Sequence, residues 1–221
     1  MPVTRESVLR RFADEPSIQG FLPFIERDIV PFDYFHVYRD WLRMQEGKYR
    51  LRVLFIAEAP PWRALGRLPS GDVRNYRYFF NDACRAPASL RTMMLSRLDI
   101  TRSAREELRL PIFRDHHLFL TDTIKCAFRK DVHPTIPSSL VQVGAEILRE
   151  EITWLRPRYI VAMGFTAYAA IRQIFPRECH GFRRLSDLPT ALIAERILVM
   201  PYPNMRNRGN FGNRLDASFA L

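Results

Sequence analysis

The chain has 221 residues, of which 47% are hydrophobic and 26% are charged, a composition that indicates a soluble globular protein and excludes an intrinsically disordered one. Its formal net charge is +10, and much of the excess is arginine, whose planar guanidinium contacts phosphate with two parallel hydrogen bonds. A polyanionic partner is therefore predicted, with nucleic acid as the leading candidate, although solubility alone also accounts for a basic protein.

The sequence offers no segment that would place the protein in a membrane. No apolar run approaches the roughly 20 residues that cross a bilayer, and the first residues lack the apolar stretch of a secretory signal. The three cysteines, Cys84, Cys126 and Cys179, are widely spaced and form no C-x-x-C pair, which argues against a disulfide framework. We therefore expect a cytoplasmic protein without a membrane partner.

The first half of the chain is predicted to begin with helices. Residues 1–50 have apolar residues at helical spacing, and Thr4 or Ser7 is the expected N-cap of the first helix. A buried strand follows at 51–61 and runs into a double proline, which cannot continue it. A loop is then predicted, followed by short helices in the segments "YRYFFNDAC", "PASLRTMMLSRL" and "SAREELRL".

The second half alternates apolar strands with helices. Strands are predicted at 116–122, 158–164 and 195–203. A long helix with Ser138 or Ser139 as N-cap precedes the second of these, and another helix begins directly behind Gly164. This alternation predicts a single α/β domain over 1–221. A central four-stranded parallel sheet is flanked by helices, with a helical N-terminal part (1–50) and a motif-bearing core (51–215).

The four predicted strands all end on proline, glycine or a polar residue. The ends read "AEAPP", "TDTIKC", "AMGFTA" and "PYPNMR". Because open parallel sheets bind ligands beyond the carboxyl ends of their strands, we expect the functional site at this edge.

These strand ends resemble the motifs of the uracil-DNA glycosylase superfamily. "FIAEAPP" is similar to the G-E-x-P-G motif of the iron–sulfur branch (families 4 and 5), and "FLTDTIKC" to its T-N-x-x-K-C strand end. "RPRYIVAMGFTA" is similar to P-x-x-I-V-x-L-G-x-T-A. "PYPNMRNRGNFG" lies where the H-P-S motif and the DNA-intercalating loop belong. The resemblance covers roughly residues 51 to 215.

The departures from these motifs are as informative as the matches. Asp122 replaces the family's asparagine, while Tyr202 and Asn204 replace its histidine and serine. Ala57 also replaces a glycine. Of the four cysteines that bind the iron–sulfur cluster, Cys126 alone has a match, so we predict a buried apolar role for Cys126 and neither cluster, metal nor other cofactor.

The resemblance implies base excision, in which a nucleotide leaves the duplex and its N-glycosidic bond is hydrolysed. Glu58 is then the candidate catalytic group, because its carboxylate would orient water and stabilise a cationic sugar. The alternative is a strand-end glutamate that pairs with a nearby arginine.

Asp122 is the predicted base-reading residue. An ionised aspartate only accepts hydrogen bonds, which disfavours uracil O4 and favours the amino group of cytosine. We therefore expect a cytosine-type base, and a modified one, because excision of plain cytosine would damage the genome. Asp122 would alternatively activate water together with Glu58, or cap the following turn.

The remaining predicted contacts follow the same resemblance. Phe79 or Phe80 is expected to stack on the base, with helix core as the alternative for aromatic residues of this segment. Tyr202 and Asn204 are expected to bind the base. DNA contacts are predicted for Lys125, Met205, Arg206 and Arg208, with Met205 or Arg206 as the wedge that replaces the departed base.

The leading hypothesis is thus a monomeric DNA glycosylase that needs no cofactor. No G-x-x-x-x-G-K-[ST] or G-x-G-x-x-G motif supports a nucleotide cofactor. The alternatives are an ordinary uracil-DNA glycosylase and a non-catalytic protein that binds DNA or senses damage on the same fold.

Overall fold

The computed structural model describes residues 3–26, 51–62, 78–80, 90–97, 109–177, 179, 192–194 and 196–202. The helices in these ranges are α1 (Arg5–Asp14), a 3₁₀ helix (Pro16–Phe24), α2 (Leu90–Arg97), α3 (Arg109–Asp115), α4 (Ser138–Leu155) and α5 (Phe165–Ile174). The strands are β1 (Ile25–Glu26), β2 (Val53–Ala57), β3 (Leu118–Asp122), β4 (Ala127–Phe128), β5 (Tyr159–Met163), β6 (Leu192–Ala194) and β7 (Ile197–Met200).

Four parallel strands form the centre of the molecule in the order β3-β2-β5-β7. Their residues are almost all buried, as expected for apolar runs covered on both faces. The predicted four-stranded parallel sheet flanked by helices is confirmed. A further edge strand, β6, pairs antiparallel with β7 and was not predicted.

The first residues of three helices can be compared with the starts predicted from the sequence. Thr4 caps α1 in a reciprocal capping box with Ser7, which confirms one of the two predicted caps. The predicted cap of α4 is wrong, because Ser138 is already helical and Pro137 occupies the N-cap position without a side-chain hydrogen bond. Helix α5 begins directly behind Gly164, as predicted.

Within the described residues, the helices of the N-terminal part end at Phe24. Strand β1 then pairs antiparallel with β4, which corrects the prediction of an entirely helical segment over 1–50; residues 27–50 lie outside the described ranges. An ion pair between Arg11 and Glu150 also joins α1 to α4. The N-terminal segment therefore packs against the loop that follows β3 and against α4.

No helix in the part of the chain that the structure describes is long and apolar enough to cross a bilayer. Apolar side chains instead fill one continuous core around the sheet.

Helix α4 lies unusually close to the loop after β3. A Cβ atom added at Gly144 would lie 2.5 Å from the carbonyl oxygen of Thr123 and 3.1 Å from the Ile124 side chain. The contact is with backbone, which cannot rotate away. A residue without a Cβ is therefore required for this approach of the helix to the loop.

We expect Gly144→Ala to lower the free energy of unfolding by about 1–3 kcal/mol, because the new methyl group overpacks the interface between α4 and the loop. Gly20→Ala is the matched control, since a Cβ at Gly20 meets nothing within 4 Å. Urea denaturation of both variants measures the difference. Equal stability of the two variants would contradict the close approach.

Candidate functional site at the carboxyl edge of the sheet

Three candidate residues follow parallel strands at the same edge of the sheet. Glu58 follows β2, Asp122 ends β3 and Tyr202 lies two residues beyond β7. Ala57 and Asp122 are register partners in neighbouring strands, and Glu58 lies close enough to Asp122 for its charge to raise the pKa of that carboxyl group. The structure therefore brings Glu58, Asp122 and Tyr202 together, as the sequence predicted for this edge.

The loop after β3 is bonded to the end of β2. The backbone amide and hydroxyl of Thr123 both donate to the carbonyl oxygen of Ala57, each at 2.9 Å. The amide of Ile124 donates to the carbonyl oxygen of Glu58, also at 2.9 Å. These bonds extend the β2–β3 pairing past Asp122 and fix the backbone on which both carboxylates lie.

Two side chains orient the carboxylate of Glu58. The hydroxyl of Thr166, in the first turn of α5, donates to Oε2 at 2.6 Å. The ammonium of Lys130 forms an ion pair with Oε1. The Glu58 side chain keeps 31% of its surface exposed, so water reaches it. The paired cation is thus a lysine from the loop after β4, whereas the alternative interpretation expected an arginine.

The carboxyl group of Asp122 lies in a dry environment. Only 3% of the residue is exposed. Burial raises its pKa to about 7; the positive charge of Lys125 opposes this shift, while Glu151 and Glu58 add to it. Within the described residues its carboxyl group has no hydrogen-bond partner, and Thr123 makes the side-chain bond at this turn. In the described residues, Asp122 therefore does not cap the turn that follows it, which was its alternative role.

Lys125 does not reach solvent. Its ammonium pairs with Oε2 of Glu151 on α4 and donates to the hydroxyl of Thr121 at 2.7 Å, and both charged side chains are 0% exposed. The Thr121 hydroxyl donates to the same Glu151 oxygen at 2.9 Å. The predicted DNA contact of Lys125 is corrected accordingly, because a buried ammonium paired with Glu151 has no access to phosphate.

Tyr202 packs over the start of α5. A Cβ at Gly164, where φ is +89°, would lie 3.2 Å from the Cβ of Tyr202. Although 38% of the residue is exposed, the surrounding protein raises the pKa of its hydroxyl above the ordinary value by desolvation, and Asp122 and then Glu58 add to the shift. A phenol in this environment keeps its proton and remains a hydrogen-bond donor.

The predicted stacking residues lie in the core. Phe79 and Phe80 are 2% and 5% exposed. The Phe79 ring packs edge-on against Phe113 at 5.2 Å, and the Phe80 ring packs against Phe119 at 5.8 Å. Both rings are therefore occupied by protein neighbours. The alternative interpretation, ordinary core, describes them better, although they lie in a turn and not in a helix.

Three residues at this edge escaped the sequence analysis. Phe165, which follows Gly164, is 51% exposed, and Thr166 and Lys130 hold Glu58. The threonine of the G-x-T-A motif was a usable signal, because it lies in the first turn of the helix directly behind a strand end. Nothing in the sequence distinguishes Lys130 from its neighbours. The predicted contacts at Asn204, Met205, Arg206 and Arg208 lie outside the described residues.

Cys126 is buried in the hydrophobic core, as predicted for an apolar role. Among the described residues, no three His, Cys, Asp or Glu side chains are grouped so that they could hold a metal ion.

The family model of the Uracil DNA glycosylase superfamily matches residues 44–219, which is most of the chain. The chain belongs to this superfamily. The match includes all four strand ends that form the site, so the resemblance seen in the motifs is confirmed. No curated protein matches the sequence. Membership in the superfamily associates this chain with DNA and with glycosylase chemistry, and the choice of base depends on its own residues.

We expect Lys125→Met to lower the free energy of unfolding by about 3–5 kcal/mol, because it leaves the Glu151 carboxylate buried without a counter-charge. The double variant Lys125→Met/Glu151→Leu should be less destabilised than the single variant, since it removes both charges. Arg11→Met breaks an exposed pair with Glu150 and should cost about 0–1 kcal/mol. Denaturant unfolding compares the three. A double variant less stable than the single one would show that the pair does not act as a unit.

We expect the free energy of unfolding to fall as pH rises from about 4 to about 7 through the titration of Asp122. Native Asp122 keeps its proton up to about pH 7, whereas the unfolded chain loses it near pH 4. The native state therefore binds more protons in this window, and each pH unit costs up to about 1.4 kcal/mol. Unfolding of the wild type and of Asp122→Asn at several pH values isolates this contribution. A stability difference between them that does not change with pH would contradict it.

Proposed function

We propose that this superfamily member is a DNA glycosylase that excises a flipped-out pyrimidine and prefers a cytosine-type base. The observation that carries the proposal is that two carboxyl groups in different environments lie at the same edge of the sheet. Glu58 is oriented and reached by water, while Asp122 is buried and has no hydrogen-bond partner in the described part of the chain. Two carboxyl groups in different environments are suited to different tasks.

Glu58 is the proposed catalytic group. As the bond between the sugar C1′ and the base nitrogen breaks, its electron pair leaves with the base and positive charge develops on the sugar. The Glu58 carboxylate stabilises that charge and orients the water that attacks C1′. Thr166 and Lys130 hold the carboxylate in one orientation, and Thr166 is bonded to the oxygen that Lys130 does not pair with. The Glu58 carboxylate or solvent accepts the proton that the attacking water releases.

Asp122 is the proposed reader of the base edge. Its ionised form accepts from the N4 amino group of cytosine but faces uracil O4 with a lone pair. Its protonated form has one donor and one acceptor, which match cytosine N3 and N4 and equally match uracil O4 and N3. Because the pKa of Asp122 is about 7, discrimination against uracil should strengthen as pH rises through neutrality.

Tyr202 and Phe165 complete the proposed pocket. The hydroxyl of Tyr202 stays protonated and donates to the departing base, which stabilises the charge that the base acquires. Phe165 is the aromatic residue that we propose for base or sugar contact in place of Phe79 and Phe80. It is half exposed and adjoins Thr166, the hydrogen-bond partner of Glu58. Flipped bases are commonly read between aromatic or apolar side chains.

The test incubates the protein with duplexes that carry uracil, cytosine or 5-modified cytosines and then measures abasic sites. We expect abasic sites at the positions of the cytosine-type bases, and a ratio of cytosine-type to uracil cleavage that grows between pH 6 and pH 8. Cleavage confined to uracil would overturn the cytosine preference. No abasic sites with any base, together with salt-sensitive DNA binding, would favour a non-catalytic damage sensor.

Two substitutions separate the roles of the carboxyl groups. Glu58→Gln should reduce cleavage of every base by about 10²- to 10⁴-fold, because the amide cannot stabilise the cationic sugar. Asp122→Asn should instead shift the preference towards uracil and remove its pH dependence. Loss of all activity in Asp122→Asn, with stability retained, would assign Asp122 to catalysis and not to base reading.

A further inference from the structure

A concave site lies at the opposite end of the sheet from Glu58 and Asp122. The cavity has a volume of about 370 Å³ and lies between the ends of α4 and α5 and the start of β5. Arg149 and Ile152 line it from one face of α4, and Arg156, the residue at the C-cap of this helix, lines it next to them. Arg196, which precedes β7, closes another side. The cavity thus faces the amino ends of the parallel strands.

The three arginines of this cavity form no ion pair with any carboxylate in the described residues. Arg149 donates to the carbonyl oxygen of Gln173 at 3.2 Å, and Arg196 lies over the Phe175 ring at 5.4 Å. No Asp or Glu is among the lining residues. Arg11 and Arg114, by contrast, each pair with an acidic neighbour. Three guanidinium groups gathered around one cavity without a counter-charge favour the binding of an anion.

The floor of the cavity is apolar. Ile152 and Ile160 are buried in the core, and they line the cavity together with Ile174 and Phe175. The arginine side chains themselves are exposed. A site with an apolar floor, a cationic rim and this volume accommodates a small ligand that has both a flat apolar part and an anionic part. A guanidinium held over an aromatic ring also offers a surface on which a nucleobase stacks.

We propose that this arginine-lined cavity binds a nucleoside phosphate, with the phosphate on the guanidinium groups and the base on the apolar floor. Arginine recognises phosphate through its planar fork of donors. The ligand is either a free nucleotide or one nucleotide of a nucleic-acid strand. Because the whole length of β5 separates this cavity from the carboxyl edge, the nucleotide bound here is distinct from the one that lies at Glu58.

The test uses the full chain and measures the binding of thymidine 5′-monophosphate and of thymidine by calorimetry. We expect the monophosphate to bind and thymidine to bind at least about tenfold more weakly, since the charge-assisted hydrogen bonds are lost. The variant Arg156→Gln/Arg196→Gln should weaken binding of the monophosphate at least about tenfold. The matched control is Arg11→Gln/Arg114→Gln, which removes two exposed arginines elsewhere and should leave binding within about twofold.

A short oligothymidylate distinguishes the two sources of the ligand. Preference for the monophosphate indicates a free nucleotide, and preference for the oligonucleotide, with a salt slope about two units smaller in the cavity variant, indicates a strand. Equal losses in the cavity variant and its control, or no binding of either probe, would overturn the proposal. Abasic-site formation is measured in parallel as a separate readout. Failure of the proposed glycosylase activity would therefore not affect the binding result.

Discussion

The buried pair between Lys125 and Glu151 is the interaction on which the site depends. It joins the loop after β3 to α4, and the hydroxyl of Thr121 bonds to both charged groups. Helix α4 approaches this loop closely because Gly144 has no side chain. The loop is bonded on its other side to Ala57 and Glu58. Asp122 is therefore fixed between two well-packed elements, which allows a carboxyl group to remain buried without a hydrogen-bond partner in the described structure.

The same arrangement gives the two carboxyl groups different chemistry. The positive charge of Lys125 opposes the rise in the pKa of Asp122, whereas the negative charge of Glu151 adds to that rise. The two charges of the pair therefore act in opposite directions, and burial is the largest cause of the raised pKa. Glu58 keeps access to water and has Lys130 as its cation. A single sheet edge thus presents one solvent-exposed carboxyl group and one buried carboxyl group whose pKa is raised, and two such unlike environments suit the different tasks proposed for Glu58 and Asp122.

The sequence predicted the parts of this site that depend on local pattern. Apolar runs that end in polar residues located Glu58, Asp122 and Tyr202, because parallel strands bring their carboxyl ends to one edge. The sequence did not predict correctly the side chains whose environment depends on contacts between distant parts of the chain. Lys125 is buried because its partner Glu151 lies 26 residues further along the chain, on a different element. Phe79 and Phe80 were misassigned because an aromatic run looks the same whether it faces a ligand or the core.

The distribution of charge bears on the proposed approach of DNA to this edge. The chain has a net charge of +10, yet the described carboxyl edge contains two carboxyl groups, and its cations Lys125 and Lys130 are already paired. Within the described residues, this edge therefore offers little unpaired positive charge to phosphate, and the predicted DNA contacts Arg206 and Arg208 lie outside these residues. In the proposed mechanism, the pairing of Lys130 with Glu58 neutralises that ammonium at the site, and the uncharged hydroxyl of Thr166 holds the other carboxylate oxygen.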